Sequence, residues 1–114
     1  MPLVKLQTNL DLDSSTTQTL IKQTSSLTAS LLSKPESYVM VIAETSCSML
    51  FAGSNEPLCY IELKSIGLPE NETPSISAAL CQLVNDIAGI NPERIYIEFT
   101  NAPRAMWGWN SATF

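Results

Sequence analysis

The chain has 114 residues, 45% of them hydrophobic and 15% charged, with six Lys and Arg against eleven Asp and Glu for a net charge of −5. This is the balance of a soluble globular domain that buries roughly two-thirds of its unfolded surface, not of a disordered chain, and its few scattered cations exclude a nucleic-acid surface. Histidine is absent and the three cysteines lack C-x-x-C spacing, which excludes Cys–His zinc clusters and both Ser-His-Asp and Cys-His nucleophiles.

Met1 to Asn9 reads as a short strand with Pro2 at its start. A proline is structurally cheap there, because a strand end tolerates the missing N–H. Methionine before so small a residue is normally trimmed, so the alternative reading is a free secondary amine at Pro2. Leu20, Thr24, Leu27 and Leu31 then lie on one helical stripe, with Ile21 and Thr28 beside it and Asp13 or Ser14 as cap. The Ser and Thr residues between 14 and 30 are poor helix formers, so this helix depends on tertiary packing. Pro35-Glu36 turns the chain into a strand that carries Tyr38 and Met40, and Glu44 to Pro57 is a turn-rich connector.

After the connector, Ile61-Glu62-Leu63-Lys64-Ser65 alternates apolar and polar as a half-buried strand should. Residues 67 to 72 form an exposed turn. A second helix follows, with Thr73 as N-cap, Pro74 at its first position, a stripe of Ile76, Ala79, Leu80, Leu83, Val84 and Ile87, and Gly89 at its end. Pro92-Glu93 then leads into Ile95-Tyr96-Ile97-Glu98. The two halves match at an offset of 57, half of 114: Val4 to Thr8 falls on Ile61 to Ser65, and Pro35-Glu36 on Pro92-Glu93.

Each half is therefore strand–helix–strand with parallel strands. The expected fold class is α+β: a single domain, residues 1–114, with pseudo-repeats at about 2–57 and 58–114, joined into a four-stranded mixed sheet with both helices on one face. The other face, expected to carry Leu3, Tyr38, Met40, Tyr60 and Tyr96, and the apolar tail of Ala105 to Trp109 and Phe114 are too apolar for water. They point to a homo-oligomer with facing sheets, of an order the pattern leaves open. No apolar run nears the ~20 residues of a membrane span, and no secretory signal is present. Three reduced thiols fit a reducing compartment; a cytoplasmic location is expected, with export independent of a signal peptide left open.

Met1-Pro2, Thr8-Asn9, Ser33-Lys34-Pro35 before Tyr38, Gly53-Ser54-Asn55-Glu56-Pro57, Lys64-Ser65-Ile66-Gly67, Pro92 to Ile97 and Gly108 to Phe114 together resemble the macrophage migration inhibitory factor family, of the tautomerase superfamily. The resemblance covers essentially the whole chain. It implies a homotrimer whose sheets line a central barrel, with active sites at subunit interfaces. It also implies cofactor-independent keto–enol tautomerisation of phenylpyruvate- or dopachrome-type substrates. Pro2 would be the catalytic base, Lys34 would hold the substrate's carboxylate or carbonyl oxygen, and the N–H of Ile66 would donate to the substrate, with Ser65 beside it. Tyr96 would line the pocket across the interface, with Tyr38 and Trp109 at the rim and Phe114 packing beside them.

Two departures from the family's best-known member stand out. Leu58-Cys59-Tyr60-Ile61 replaces its Cys-x-x-Cys pair, so no thiol–disulfide activity is implied. Glu98 replaces an asparagine two positions after Tyr96, and a carboxylate in the pocket wall would shift preference away from anionic substrates. Trp107, also larger than its counterpart, would narrow the entrance. The alternative to an enzyme is a cytokine-like protein-binding module with a vestigial site, acting on a receptor the sequence does not identify.

Overall fold

The computed structural model describes residues Met1–Phe114. Strand β1 (Leu3–Thr8) leads through a short loop to helix α1 (Ser14–Leu32), and β2 (Met40–Glu44) closes the first unit. The second repeats the plan with β3 (Cys59–Ile66), α2 (Thr73–Ala88) and β4 (Ile95–Ala102), and a small hairpin of β5 (Gly108–Trp109) and β6 (Ala112–Thr113) follows. The four long strands form one sheet in the order β2-β1-β3-β4, with β1–β2 and β3–β4 parallel and β1–β3 antiparallel. This is the expected α+β architecture.

The pairing explains the internal repeat. Val4 lies opposite Leu63 and Leu6 opposite Ile61, so a shift of 57 residues exchanges the two pairs. The outer strands depart from that offset by one residue. Val4 pairs with Val41 in the first unit, but its counterpart Ile61 pairs with Ile97, 56 residues after Val41. Because side chains alternate along a strand, this step keeps Val41 and Ile97 both packed against the core, whereas the full offset would have turned one away.

Val4, Leu6, Ile61 and Leu63 point from the sheet into the helix layer, where they meet Leu20 of α1 and Ile76, Leu80 and Val84 of α2. At the start of α1, Asp13 Oδ1 accepts the N–H of Thr16 at 2.7 Å. That bond holds the Asp13 carboxyl below its ordinary range, so its stabilising effect is present at neutral pH and is lost as pH falls through the depressed value. The buried side of α1 runs through Leu20, Thr24, Thr28 and Leu32, slightly rotated from the expected stripe of Leu27 and Leu31, which pack at its margin. Thr73 does not cap α2. It is the first helical residue, and its hydroxyl donates to the Glu70 carbonyl at 3.0 Å within a preceding 3₁₀ turn. Gly89 ends α2 in the left-handed conformation, φ 69°, that glycine adopts without a Cβ clash.

Tyr38 belongs to a 3₁₀ turn over Glu36–Tyr38 rather than to a strand, because Pro35 directs the chain into that turn before β2 begins. The open sheet face instead carries Leu3, Met40, Ile42, Tyr60 and Tyr96, of which Met40 is 61% and Tyr96 66% exposed in the single chain. All three cysteines are free. Cys59 is buried, and desolvation together with the neighbouring Cys81 thiol pushes its pKa up to about 12. No helix is long and apolar enough to cross a membrane.

The hydroxyls of Thr24 and Thr28 are buried with no hydrogen-bond partner. A buried hydroxyl without a partner opposes folding, and valine reproduces threonine's shape without it. Thr24→Val is expected to raise the unfolding free energy by roughly 1 kcal/mol in a denaturant titration; a loss of that size would show the hydroxyl to be satisfied. Cys59 is expected to resist iodoacetamide at pH 8 in the folded protein and to react once the chain is unfolded, with peptide mass spectrometry reporting the site. Rapid modification of Cys59 in the native state would contradict the burial.

Candidate active site

Pro2 sits at the head of the central strand, fully buried, and its carbonyl accepts the N–H of Met40 at 3.0 Å. The cavity of about 360 Å³ above it is lined by Met1, Pro2, Tyr38, Met40, Trp107 and Trp109, with Phe114, Ser37, Val39, Leu3 and Gly108 completing the wall. Most of these are apolar, so charge entering the cavity loses hydration. Tyr38 and Trp109 meet edge to face with ring centroids 5.5 Å apart, Tyr38 and Phe114 likewise at 5.8 Å, and Trp109 stacks on Phe114 at 5.4 Å. Such pairs hold aromatic rings in place beyond what area burial alone does. The hairpin is fixed by Asn110 and Ser111, both at positive φ, and the Phe114 N–H donates to the Trp107 carbonyl at 3.2 Å. The aromatic wall thus comes from two distant segments that the turn at Tyr38 and the terminal hairpin bring together.

Lys34 follows the left-handed cap of α1 at Ser33, where its N–H donates to the Ala29 carbonyl at 3.0 Å. Its ammonium lies 4.0 Å from where a Cβ on Gly67 would stand, beside the end of β3. Leu3 pairs with Lys64, so continuing the antiparallel register by one and two steps brings Ser65 beside Pro2 and Ile66 beside Met1. The turn after Ile66 is anchored by Asn101, whose Oδ1 accepts the Leu68 N–H at 3.1 Å. Lys34, Ser65 and Ile66 therefore gather at the same sheet end as Pro2. The Ser65 side chain is fully buried, however, and its hydroxyl donates to the Ile66 carbonyl at 3.1 Å, so that hydroxyl is committed within the chain.

The electrostatics of this end are read through the amino group of Met1. Desolvation lowers its pKa, and the Lys34 cation lowers it further. Both causes act on the charged form of any amine placed there, and Pro2 lies deeper than Met1.

Tyr96 and Glu98 do not join this cluster within one chain. Tyr96 is level with Tyr60 and Gln7, four residues along β1 from Leu3 and two strands away. That is about 13 Å along and about 10 Å across the sheet. Tyr96 packs instead against Phe51, ring centroids 4.6 Å apart. Glu98 accepts the Tyr60 hydroxyl at 2.8 Å, and Glu62, directly across from Glu98, approaches the same hydroxyl at 3.2 Å. Like charges facing each other across strands oppose pairing, and the phenol between them offers a shared donor. The hydrogen bond to Glu98 leads the causes that raise the Tyr60 pKa, so the phenol keeps its proton. Glu98 is thus satisfied by a neutral donor, and its negative charge is not cancelled.

Tyr38 and Trp109, expected at the rim, both line the cavity. Ser37, Val39 and Met40 also line it, and their only signal in the sequence is the Pro-Glu turn before β2. The Thr8-Asn9 block has a structural explanation: Thr8 Oγ1 donates to the Leu58 carbonyl at 2.8 Å, while the Asn9 amide donates to the Asn55 carbonyl and accepts the Leu58 N–H. No group of three or more Cys, Asp or Glu side chains is arranged to hold a metal ion.

Comparison with known proteins gives one family throughout. The family model described as macrophage migration inhibitory factor matches residues 1–114. A macrophage migration inhibitory factor homolog of Trichinella spiralis is 36% identical over 115 residues, covering 100% of each chain. The macrophage migration inhibitory factor of Meriones unguiculatus is 33% identical, covering 100% of this chain and 99% of its own. Among solved structures, a homologue from Prochlorococcus marinus superposes with a TM-score of 0.93 at 39% identity, covering 98% of each chain. Full-length matching in both sequence and fold leaves one assignment: the chain belongs to the macrophage migration inhibitory factor family.

Proposed function

We propose that the protein is a cofactor-independent keto–enol tautomerase in which Pro2, freed by removal of Met1, is the catalytic base. The observation that carries this reading is the place of Pro2, fully buried in the wall of an apolar cavity at the sheet end where Lys34 lies; the same surroundings, burial first and then Lys34, disfavour the charged form of the Met1 amine. A proline nitrogen still joined to Met1 is an amide and cannot accept a proton. Freed, it is a secondary amine in an apolar wall beside a cation, two conditions that favour its neutral, basic form. An ordinary α-amino group titrates at about 7.7–8.0, and lowering it from the more basic proline value yields a base usable near neutral pH without histidine.

In the proposed step, neutral Pro2 removes a proton from the carbon next to the substrate carbonyl. The C–H electron pair becomes the C=C bond of an enolate, and the former carbonyl π electrons move to oxygen. Lys34 stabilises that developing negative charge. The proton then passes from Pro2 to oxygen, giving the enol; the reverse sequence gives the ketone. The Ile66 N–H is the proposed second donor, and the aromatic wall of Tyr38, Trp107 and Trp109 suits a substrate with an aromatic ring.

We further propose that the chain works as a homotrimer with the open sheet faces turned inward. The exposed Met40, Ile42 and Tyr96 support this, since a patch of that kind favours burial against another surface. In such an assembly Tyr96 and Glu98 of one copy would complete the site at Pro2 of the next.

Pro2→Gly is expected to reduce phenylpyruvate ketonisation by at least about a hundredfold, within the range for loss of a general base, and intact mass should show Met1 absent from the active protein. Full activity in Pro2→Gly, or in protein that retains Met1, would sink the mechanism. In the Met1-free protein, kcat/KM should rise with pH and level off, with an inflection below the ordinary value of a free proline amine, because the amine must be neutral and burial beside a cation lowers its pKa. Glu98→Gln is expected to raise kcat/KM for an anionic α-keto acid about three- to tenfold relative to its neutral ester; an unchanged ratio would place Glu98 outside the substrate's field.

A further inference from the structure

Arg94 stands in the 3₁₀ turn at the entrance to β4, two residues before Tyr96. Its guanidinium donates to four backbone carbonyls of the connector: Phe51 at 2.7 Å, Glu56 at 2.9 Å, Ser54 at 3.0 Å and, from Nε, Pro57 at 3.4 Å. No carboxylate lies within ion-pair distance of it. The planar fork is spent on holding a loop, which a lysine ammonium cannot reproduce because its donors radiate from one point.

The same guanidinium lies over the Phe51 ring, 5.0 Å from its centroid, and that ring also packs against Tyr96 at 4.6 Å, inclined at 47°. The Phe51 ring thus contacts both Arg94 and Tyr96. Its backbone is fixed independently. Phe51 and Ser54 exchange two N–H to carbonyl bonds of 3.0 Å around a tight turn in which Ala52 and Gly53 both have positive φ. Gly53 takes φ 72° at no steric cost. Tyr96 is otherwise exposed on an edge strand, and Phe51 is the one aromatic ring packed against its own within the chain, with Tyr60 its cross-strand partner.

We infer that Arg94 and Phe51 are positioning residues for Tyr96: the Arg94 clamp fixes the connector, the connector fixes the Phe51 ring, and that ring sets the orientation in which Tyr96 meets substrate. The inference rests on the proposed place of Tyr96 at the site of a neighbouring copy. Neither Arg94 nor Phe51 touches substrate. Their loss leaves proton transfer at Pro2 intact and weakens the binding that precedes it.

Arg94→Lys and Phe51→Leu are each expected to raise KM for phenylpyruvate about three- to tenfold, the range a disrupted aromatic pair provides, with kcat changed less than twofold. Phe51→Tyr, which keeps the ring, should restore the wild-type KM. In a Tyr96→Leu background neither substitution should add to the KM increase, because the effect passes through Tyr96. A second readout needs no activity. In protein carrying ¹³C-labelled tyrosine, the Tyr96 ring signal, assigned with Tyr96→Phe, should shift in Arg94→Lys and Phe51→Leu, while the Tyr38 signal, in the separate aromatic cluster at the cavity, stays in place and reports an intact fold. An unmoved Tyr96 signal, or KM effects that add fully to Tyr96→Leu, would overturn the inference. A KM untouched by Tyr96→Leu would overturn it through its premise and leave the Pro2 mechanism to its own assay.

Discussion

Strand β1 is hydrogen-bonded on both sides, parallel to β2 and antiparallel to β3, and the rest of the molecule takes its positions from that double pairing. A central strand cannot slip by one residue without turning Val4 and Leu6 out of the core. The register that keeps them inside also places Pro2 beside the end of β3 and joins its carbonyl to Met40. The position of the proposed catalytic amine is thus set by core packing several residues away. A proline at the head of this strand loses no ladder bond through its nitrogen, so structure and the proposed chemistry make compatible demands on one residue.

Charge is managed in three different ways. At the cavity, the Lys34 ammonium stands near an apolar wall and disfavours protonation of a neighbouring amine. On the open face of the sheet, Glu62 and Glu98 face each other, with Lys64 3.8 Å from Glu62 and the Tyr60 hydroxyl between the carboxylates. Arg94 represents the converse case, a cation satisfied by four neutral carbonyls. Of these, only the Lys64–Glu62 contact is an exposed ion pair, an interaction that contributes little.

Much of the architecture was legible because it rests on periodicity. The alternation in Ile61 to Ser65, the stripe from Ile76 to Ile87 and the Pro-Glu turns each follow from local geometry, and their repetition dictated two like units. The misses were long-range or of single-residue precision. Nothing near Thr73 signals that a 3₁₀ turn will engage its hydroxyl. A one-residue step between repeats is invisible in apolar spacing, although it decides which face Ile97 presents. The Pro2 end was readable through family resemblance rather than through pattern, since Lys34, Ile66 and Trp109 look like ordinary helix-end, strand and tail residues. The Arg94 clamp was not readable at all. A lone arginine after Pro-Glu carries no sign that its partners are carbonyls some 40 residues away.

The cavity has one more property, arising from which segments build it. Met1 and Phe114, at opposite ends of the sequence, border the same 360 Å³ space. Residues appended to either one would begin at the wall of this cavity. Purification tags, fluorescent fusions and surface tethers therefore belong elsewhere on this protein, and the exposed turn over Glu70–Glu72, between β3 and α2, is the attachment point that spares the cavity.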